Sequence, residues 1–364
     1  MKSLTNLGLY LHIPFCKRKC AYCDFYSAIF TDEMLDKYTV ALKREIKQWG
    51  GKINRPIDTI YLGGGTPSLL NKHLSDILNT IKQNFKVLEN CEITLELNPQ
   101  NDTEQILENA NLAGINRLSI GVQTSNDSRL QTLGRTHSKL DAQNAVETAK
   151  KLGFSNISLD LMLGLPNSNL QTLEADLEFL VSLNPQHISA YILKIEPNTA
   201  FYCKEDSLRL PNEDQVCDQY LFMCDYLEKC GYNHYEISNF SKTGFESRHN
   251  LKYWNCEEYI GLGPSAHSYL DGKRFFYPRD LKEFIKGTCP LPDGEGGSAE
   301  EKLMLALRLK KGVDTQNLPQ NKLELFAKNG LATIENGKFS LTNKGMLVSN
   351  QIISELLENL NENT

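Results

Sequence analysis

The sequence predicts a parallel α/β unit followed by a small winged-helix-like α+β domain. Three observations predict it. Six short apolar runs alternate with amphipathic helical stretches as far as Leu193. Residues able to do chemistry cluster just after those runs, at the C-terminal ends of strands, where such units place their sites. Beyond Pro290–Ser298, a Pro- and Gly-rich stretch that reads as a linker, the pattern changes to helices and a hairpin. The alternation alone fits either a partial barrel or a doubly wound sheet.

The elements follow in order. Leu7–Ile13 reads as a strand running into a cysteine loop. Asp32–Trp49 reads as a helix, because Leu35, Tyr38, Leu42, Ile46 and Trp49 recur at three- and four-residue steps. Thr31 or Asp32 can cap it, and Gly50-Gly51 ends it. Asp58–Leu62 is the second strand, followed by Gly63-Gly64-Gly65 and a helix over 71–85. Further strands are expected at Glu92–Leu97, Arg117–Val122, Ile157–Leu163 and His187–Leu193. Between them lie helices at Thr103–Leu112, Lys139–Leu152 and Leu170–Leu183, the second stopped by Gly153. Asn212–Cys230 is another helix, and Tyr232–Asn255 is aromatic-rich and irregular. After the linker, helices are expected at Ala299–Leu309, Val313–Leu318 and Leu323–Lys328. A hairpin turns at Asn336-Gly337, and a last helix runs from Lys344 to about Leu360.

Composition narrows the function. Of 364 residues 40% are hydrophobic and 23% charged, with a formal net charge of −6, so no basic face for nucleic acid is predicted. Met1–Phe15 has no small-residue cleavage site and is not read as a signal peptide; no apolar run is long enough to span a membrane. A cytoplasmic, reducing location is the expectation. In such a location the ten cysteines are not a disulfide framework. Cys217, Cys224 and Cys230, spaced along one helix, read as buried small residues.

Cys16, Cys20 and Cys23 are different: their spacing is C-x3-C-x2-C. Three thiolates on one short loop can each hold an iron of a 4Fe–4S cubane and leave the fourth iron open. The methionine end of S-adenosylmethionine can chelate that iron. A zinc site would want a fourth ligand, and a bacterial ferredoxin a fourth Cys followed by Pro; neither occurs. Gly63-Gly64-Gly65-Thr66-Pro67 lets backbone approach a ligand, yet it is neither G-x-G-x-x-G nor a P-loop. Gln123 and Asp160 can accept hydrogen bonds from ribose hydroxyls, and Asp160 is a carboxylate in an otherwise apolar strand. Arg135 can pair with a carboxylate through two N–H groups.

These strings resemble the radical S-adenosylmethionine superfamily and, within it, the oxygen-independent coproporphyrinogen III oxidase-like family. The resemblance rests on His12-Ile13-Pro14-Phe15-Cys16, Gly63 through Ser68, Gly121-Val122-Gln123, Gly134-Arg135-Thr136-His137, and Asp160 through Pro166. It implies a partial (β/α)6 TIM-type barrel over residues 1–235, a connecting region over 236–297 and the winged-helix-like domain over 298–364. It also implies that the glycine backbone and Thr66 receive the cofactor's amino group and that Arg135 holds its carboxylate. Glu96 and Tyr10 join the cofactor site, with Tyr22 and Phe25 shielding the cluster.

That family holds an oxidase branch and a heme-chaperone branch. The oxidase branch carries a further cysteine two positions after the third and a longer segment before the first. Here Phe25 stands at that position and the first cysteine is residue 16. The chaperone branch ends its motif in Phe and carries an H-N-x-x-Y-W string, matched by His249-Asn250-Leu251-Lys252-Tyr253-Trp254. The resemblance therefore implies heme as cargo, with His249 as a candidate iron ligand, Tyr253 and Trp254 as candidate porphyrin contacts and Cys256 as a further attachment point. Its implied partners are a heme-acceptor protein, membrane-bound in one version, an electron donor for the cluster and a second copy in a homodimer. Oxidative decarboxylation of coproporphyrinogen III is the alternative. A nucleic-acid-binding Fe–S regulator is disfavoured by the mixed charges of the C-terminal region.

Overall fold

Strand β1 (Leu7–Ile13) is apolar at nearly every position because both its faces and both its edges are covered. The structure is a computed structural model, and it describes residues 6–99, 102–316 and 318–361. Five more parallel strands follow: β2 (Ile57–Gly64), β3 (Val87–Leu97), β4 (Arg117–Gln123), β5 (Ile157–Leu163) and β6 (His187–Ile192). They pair strictly in sequence order. A doubly wound sheet reverses its order at a switch point; this one winds in one direction, as a partial barrel does.

The connecting helices pack outside. Helix α1 (Asp32–Gly50) is capped by Thr31, whose Oγ1 accepts from Met34 N–H at 3.2 Å. It buries Leu35, Tyr38, Leu42 and Ile46, each worth roughly 1.5–3 kcal/mol. Next come α2 (Leu74–Asn84), α3 (Thr103–Ala113), the short α4 (Asp127–Thr132), α5 (Lys139–Lys151), α6 (Leu170–Ser182) and α7 (Glu213–Lys229). The expected helix over 71–85 is split: Pro67–His73 is a 3-10 turn, kinked at Asn71, and α2 starts after it.

The stretch 232–255 is not irregular. It holds strands β7 (Asn233–Glu236) and β8 (Asn239–Ser241) and helix α8 (Arg248–Trp254). The chain then returns to β1: β9 (Tyr259–Leu262) runs parallel along its free edge, pairing Gly8 with Tyr259 and Tyr10 with Gly261. Antiparallel β10 (His267–Leu270), β11 (Lys273–Phe276) and β12 (Leu291–Glu295) extend that side. The sheet order is β12-β11-β10-β9-β1-β2-β3-β4-β5-β6-β8-β7. The expected linker is thus largely an edge strand; Pro292 is tolerated because edge strands need fewer ladder donors. Helix α9 (Leu281–Lys286) packs on α1.

The C-terminal part has helices α10 (Ala299–Ala306), α11 (Gln320–Lys328), α12 (Asn343–Leu347) and α13 (Ser349–Asn361). Its small sheet joins β13 (Val313–Asp314), β14 (Ala332–Glu335) and β15 (Lys338–Leu341). The hairpin turns at Asn336-Gly337, both at positive φ. The expected helix Val313–Leu318 starts as strand β13 instead, and residue 317 of it lies outside the described residues. The single last helix is broken at Val348. Of the three cysteines on α7 only Cys224 is buried, while Cys230 caps the helix in solvent.

Candidate functional site

The cysteine loop leaves the C-terminal end of β1 and is pinned by backbone and by one aromatic ring. Phe15 is fully buried and meets Tyr38 edge-on, ring centroids 5.4 Å apart. Thr66 N–H donates to Phe15 O at 2.7 Å, Gly65 N–H to Ile13 O at 2.8 Å, and Ala21 N–H to Leu133 O at 2.9 Å. Cys16, Cys20 and Cys23 are free and half-buried. Burial pushes the Cys16 and Cys23 thiols up. Thr66 Oγ1 lies 3.6 Å from Cys16 Sγ. A side chain on residue 65 would put its Cβ 2.6 Å from Phe15 O and 3.1 Å from Cys16 Sγ, so only glycine lets β2 end this close to the loop.

The ends of the next strands face the same cleft. Glu96 accepts from Tyr61 OH at 2.8 Å and from Gly64 N–H at 3.2 Å. Asp160 accepts from Ser119 Oγ at 3.0 Å. Desolvation in the cleft pushes Asp160 up to about 6. Arg135 donates Nη1 to Asn98 Oδ1 and Nη2 to Tyr22 OH, the latter at 2.7 Å, while its buried Nε has no partner. A Cβ at residue 121 would meet Asn98 Oδ1 at 2.9 Å, Gln123 Nε2 at 3.0 Å and Arg135 Nη1 at 3.3 Å. The missing side chain at Gly121 is thus the space on which three polar groups converge.

Burial likewise drives Glu96 up to about 7. Its folded value lies above its unfolded one, so protonation favours the fold. That contribution is complete below the ordinary carboxylate value and is lost as pH rises through about 7. Glu96→Gln is expected to exceed wild type by on the order of 1 kcal/mol near pH 8 and to match it near pH 4, read by urea unfolding at both.

Two features of the cleft are not evident from motif spacing. Gln123 holds φ +69°, a left-handed conformation that costs a non-glycine residue energy. The turn after it is fixed by Asp176 on α6, which accepts from Thr124 Oγ1 at 3.0 Å, from Ser125 N–H and Oγ–H at 2.6 Å, and pairs with Arg129 Nη2 at 3.4 Å. Asn98 joins the cleft as well, donating to Thr66 Oγ1 at 3.2 Å. Asn98 stands where the order of elements in the sequence places site residues, just before Pro99 at the end of the third strand. The signal for Asp176 was a carboxylate in register with Leu173, Leu177 and Leu180 on a helix face.

The structure brings Cys16, Cys20, Cys23, Tyr22, Gly63, Gly64, Gly65, Thr66, Glu96, Gln123, Arg135 and Asp160 to one end of the sheet. Tyr10 lies on β1 behind them, its OH 3.0 Å from His12 Nδ1. Phe25 does not seal the loop; its ring is 66% exposed at the rim.

His249 is elsewhere. It is fully buried against the N-terminal halves of β1 and β2, with Nδ1 2.8 Å from Thr59 Oγ1 and Nε2 2.9 Å from Tyr253 OH. Its ring stacks on Tyr61 at 5.2 Å, and burial drives its pKa down to about 3. Gly8 and Thr59, which flank it, lie five residues before the ends of their strands, roughly 17 Å from the cysteine end. Both ring nitrogens are engaged by these neighbours. Tyr253 is held by the same hydrogen bond, and Trp254 packs under Arg308, 5.8 Å from its guanidinium. His249→Ala is therefore expected to act on the fold, lowering stability by about 2–4 kcal/mol in a denaturant titration.

A partial barrel with three thiols on the loop after its first strand defines a class, and the sequence pattern of the Radical SAM superfamily matches residues 10–180. Membership implies a 4Fe–4S cluster and S-adenosylmethionine. Three proteins named heme chaperone HemW match nearly end to end. That of Bacillus subtilis (strain 168) is 36% identical, covering 96% of this chain and 99% of the relative. That of Lactococcus lactis subsp. lactis (strain IL1403) is 35% identical over 97% and 98%. That of Synechocystis sp. (strain ATCC 27184 / PCC 6803 / Kazusa) is 34% identical over 99% and 98%. The chain belongs to the HemW family. Coproporphyrinogen III oxidase (HemN) from Escherichia coli shares the fold, with a TM-score of 0.83 at 23% identity over 96% of this chain and 89% of that one.

The residues present fit the implied groups. Soft thiols suit iron, the Gly121 space would be filled by any side chain, and the orphaned Arg135 Nε awaits an acceptor. Among the described residues no helix is long and apolar enough to cross a membrane.

Proposed function

We propose that this chain is a heme chaperone, which binds heme and passes it to an acceptor protein. We propose further that Cys16, Cys20 and Cys23 hold a 4Fe–4S cluster, with S-adenosylmethionine on the remaining iron. The observation that carries the heme reading is the end-to-end likeness to proteins named heme chaperones. Phe25 supports it, since it occupies the place of the oxidase branch's further cysteine.

In this reading Arg135 receives the cofactor's carboxylate, using the Nε that now lacks a partner, and Tyr22 and Asn98 hold the guanidinium in place. Glu96 and the backbone beside Gly64 receive the ammonium. A cation there lowers Glu96 and offsets its burial. Gln123 and Asp160 take the ribose hydroxyls. When bound, the cluster would supply single electrons to the cofactor's sulfonium centre. An electron donor, an acceptor at a membrane and a homodimer are partners of this reading.

The test is a hemin titration of the anaerobically reconstituted full chain, followed by the Soret band, then transfer to an apo-hemoprotein. Saturable, stoichiometric binding and transfer are expected. Absence of specific binding sinks the chaperone reading; the product to seek is then decarboxylated coproporphyrinogen III.

A further inference from the structure

All seven histidines of the chain fall within the described residues, and six are buried or engaged by neighbours. His267 alone among the seven is exposed. It begins strand β10 at the cysteine end of the sheet, and its side chain is 59% exposed. Its Nδ1 faces Asp293 Oδ2 at 3.8 Å on the edge strand β12. Among the described residues its Nε2 has no hydrogen-bond partner. The 3.8 Å separation is a charge contact beyond hydrogen-bond range, so Asp293 adds negative potential beside the ring while the exposed Nε2 stays open to a metal, imidazole being a common iron ligand.

The surroundings suit a flat apolar macrocycle with anionic arms. Phe276, opposite His267 across the β10–β11 ladder, lies 5.4 Å away at 22° to the imidazole. Leu291 is next in the same cross-strand row and 46% exposed. This edge abuts the cysteine loop: Leu281 N–H donates to Tyr26 OH at 2.8 Å, and Arg279, 63% exposed, lies 4.0 Å from Asp24.

We infer that the heme cargo binds at this edge, with His267 Nε2 on the iron and Arg279 on a propionate. The inference rests on the heme-chaperone reading. An iron–nitrogen bond lies in the imidazole plane, so the macrocycle stands across that plane. Phe276, nearly parallel to the imidazole, then meets the macrocycle edge-on, a favoured aromatic geometry. The site faces solvent, as cargo due for transfer requires, and neighbours the cluster loop.

The experiment compares wild type, His267→Ala and Cys289→Ser, each as the full reconstituted chain titrated with hemin. Cys289 is the exposed thiol two residues before Leu291 and the natural rival ligand. His267→Ala is expected to weaken binding at least about tenfold and to shift the Soret band. Added imidazole should restore the wild-type spectrum, which a merely structural role would not allow. Cys289→Ser should behave as wild type. Wild-type affinity and spectrum in His267→Ala, or loss only in Cys289→Ser, would overturn the site and leave the heme reading standing. No binding by wild type removes both.

Discussion

A chain with Cys16, Cys20 and Cys23 all replaced by alanine is expected to fall from about four irons to nearly none after anaerobic reconstitution. The visible absorption of the cluster should vanish with the iron. No other group on the described surface can substitute, because the remaining cysteines are scattered or buried. The variant should still fold. Phe15 and the backbone hydrogen bonds from Gly65 and Thr66 hold the loop, and none of them needs a thiol. Loss of S-adenosylmethionine affinity should accompany loss of iron, since the cofactor's chelating end is left without its metal. Iron content and equilibrium dialysis check the two halves. Full iron incorporation in the triple variant would refute the assignment. Cys203→Ser and Cys289→Ser are the controls, and both should keep their iron.

Asp176→Ala carries the second large effect. It is expected to lower stability by about 3–5 kcal/mol, because it leaves Arg129 charged and buried without its partner. It also frees the hydroxyls and the N–H that hold the turn after Gln123. With that turn released, Gln123 is expected to relax from its left-handed φ, and cofactor affinity should fall even where the protein remains folded. Urea unfolding measures the first effect, and S-adenosylmethionine binding well below the transition measures the second. Unchanged affinity in the folded variant would show that the turn is not what places Gln123.

The barrel was legible because its signals are local. Leu35, Tyr38, Leu42 and Ile46 announce a helix by spacing alone, and the buried strands from β1 to β6 are short apolar runs between turns. The cleft was legible for a related reason: strand ends bring together residues that are distant in sequence. The far side of the sheet was not. Leu291-Pro292-Asp293-Gly294-Glu295 has the composition of a turn, and it is a strand only because β11 offers an edge that tolerates proline. The buried setting of His249 was not legible either, for another reason. A histidine among aromatics reads the same whether it faces solvent or is buried, and only its contacts with Thr59 and Tyr253 decide. His267, in a plain Ser-Ala-His-Ser string, offered no pattern at all.

Strand β1, which delivers the cysteines, is walled on one side by β2 and on the other by β9. The first neighbour is translated soon after it, the second only when most of the chain exists. During synthesis β1 therefore waits with one edge unpaired, and the loop that follows it borders an incomplete sheet. Such a pairing of high sequence separation slows folding and leaves an edge open to aggregation. Iron delivered to the nascent chain would meet thiols on an unfinished scaffold. Polypeptides truncated ahead of Tyr259 are therefore expected to accumulate as iron-free, aggregation-prone species, read by iron content and sedimentation.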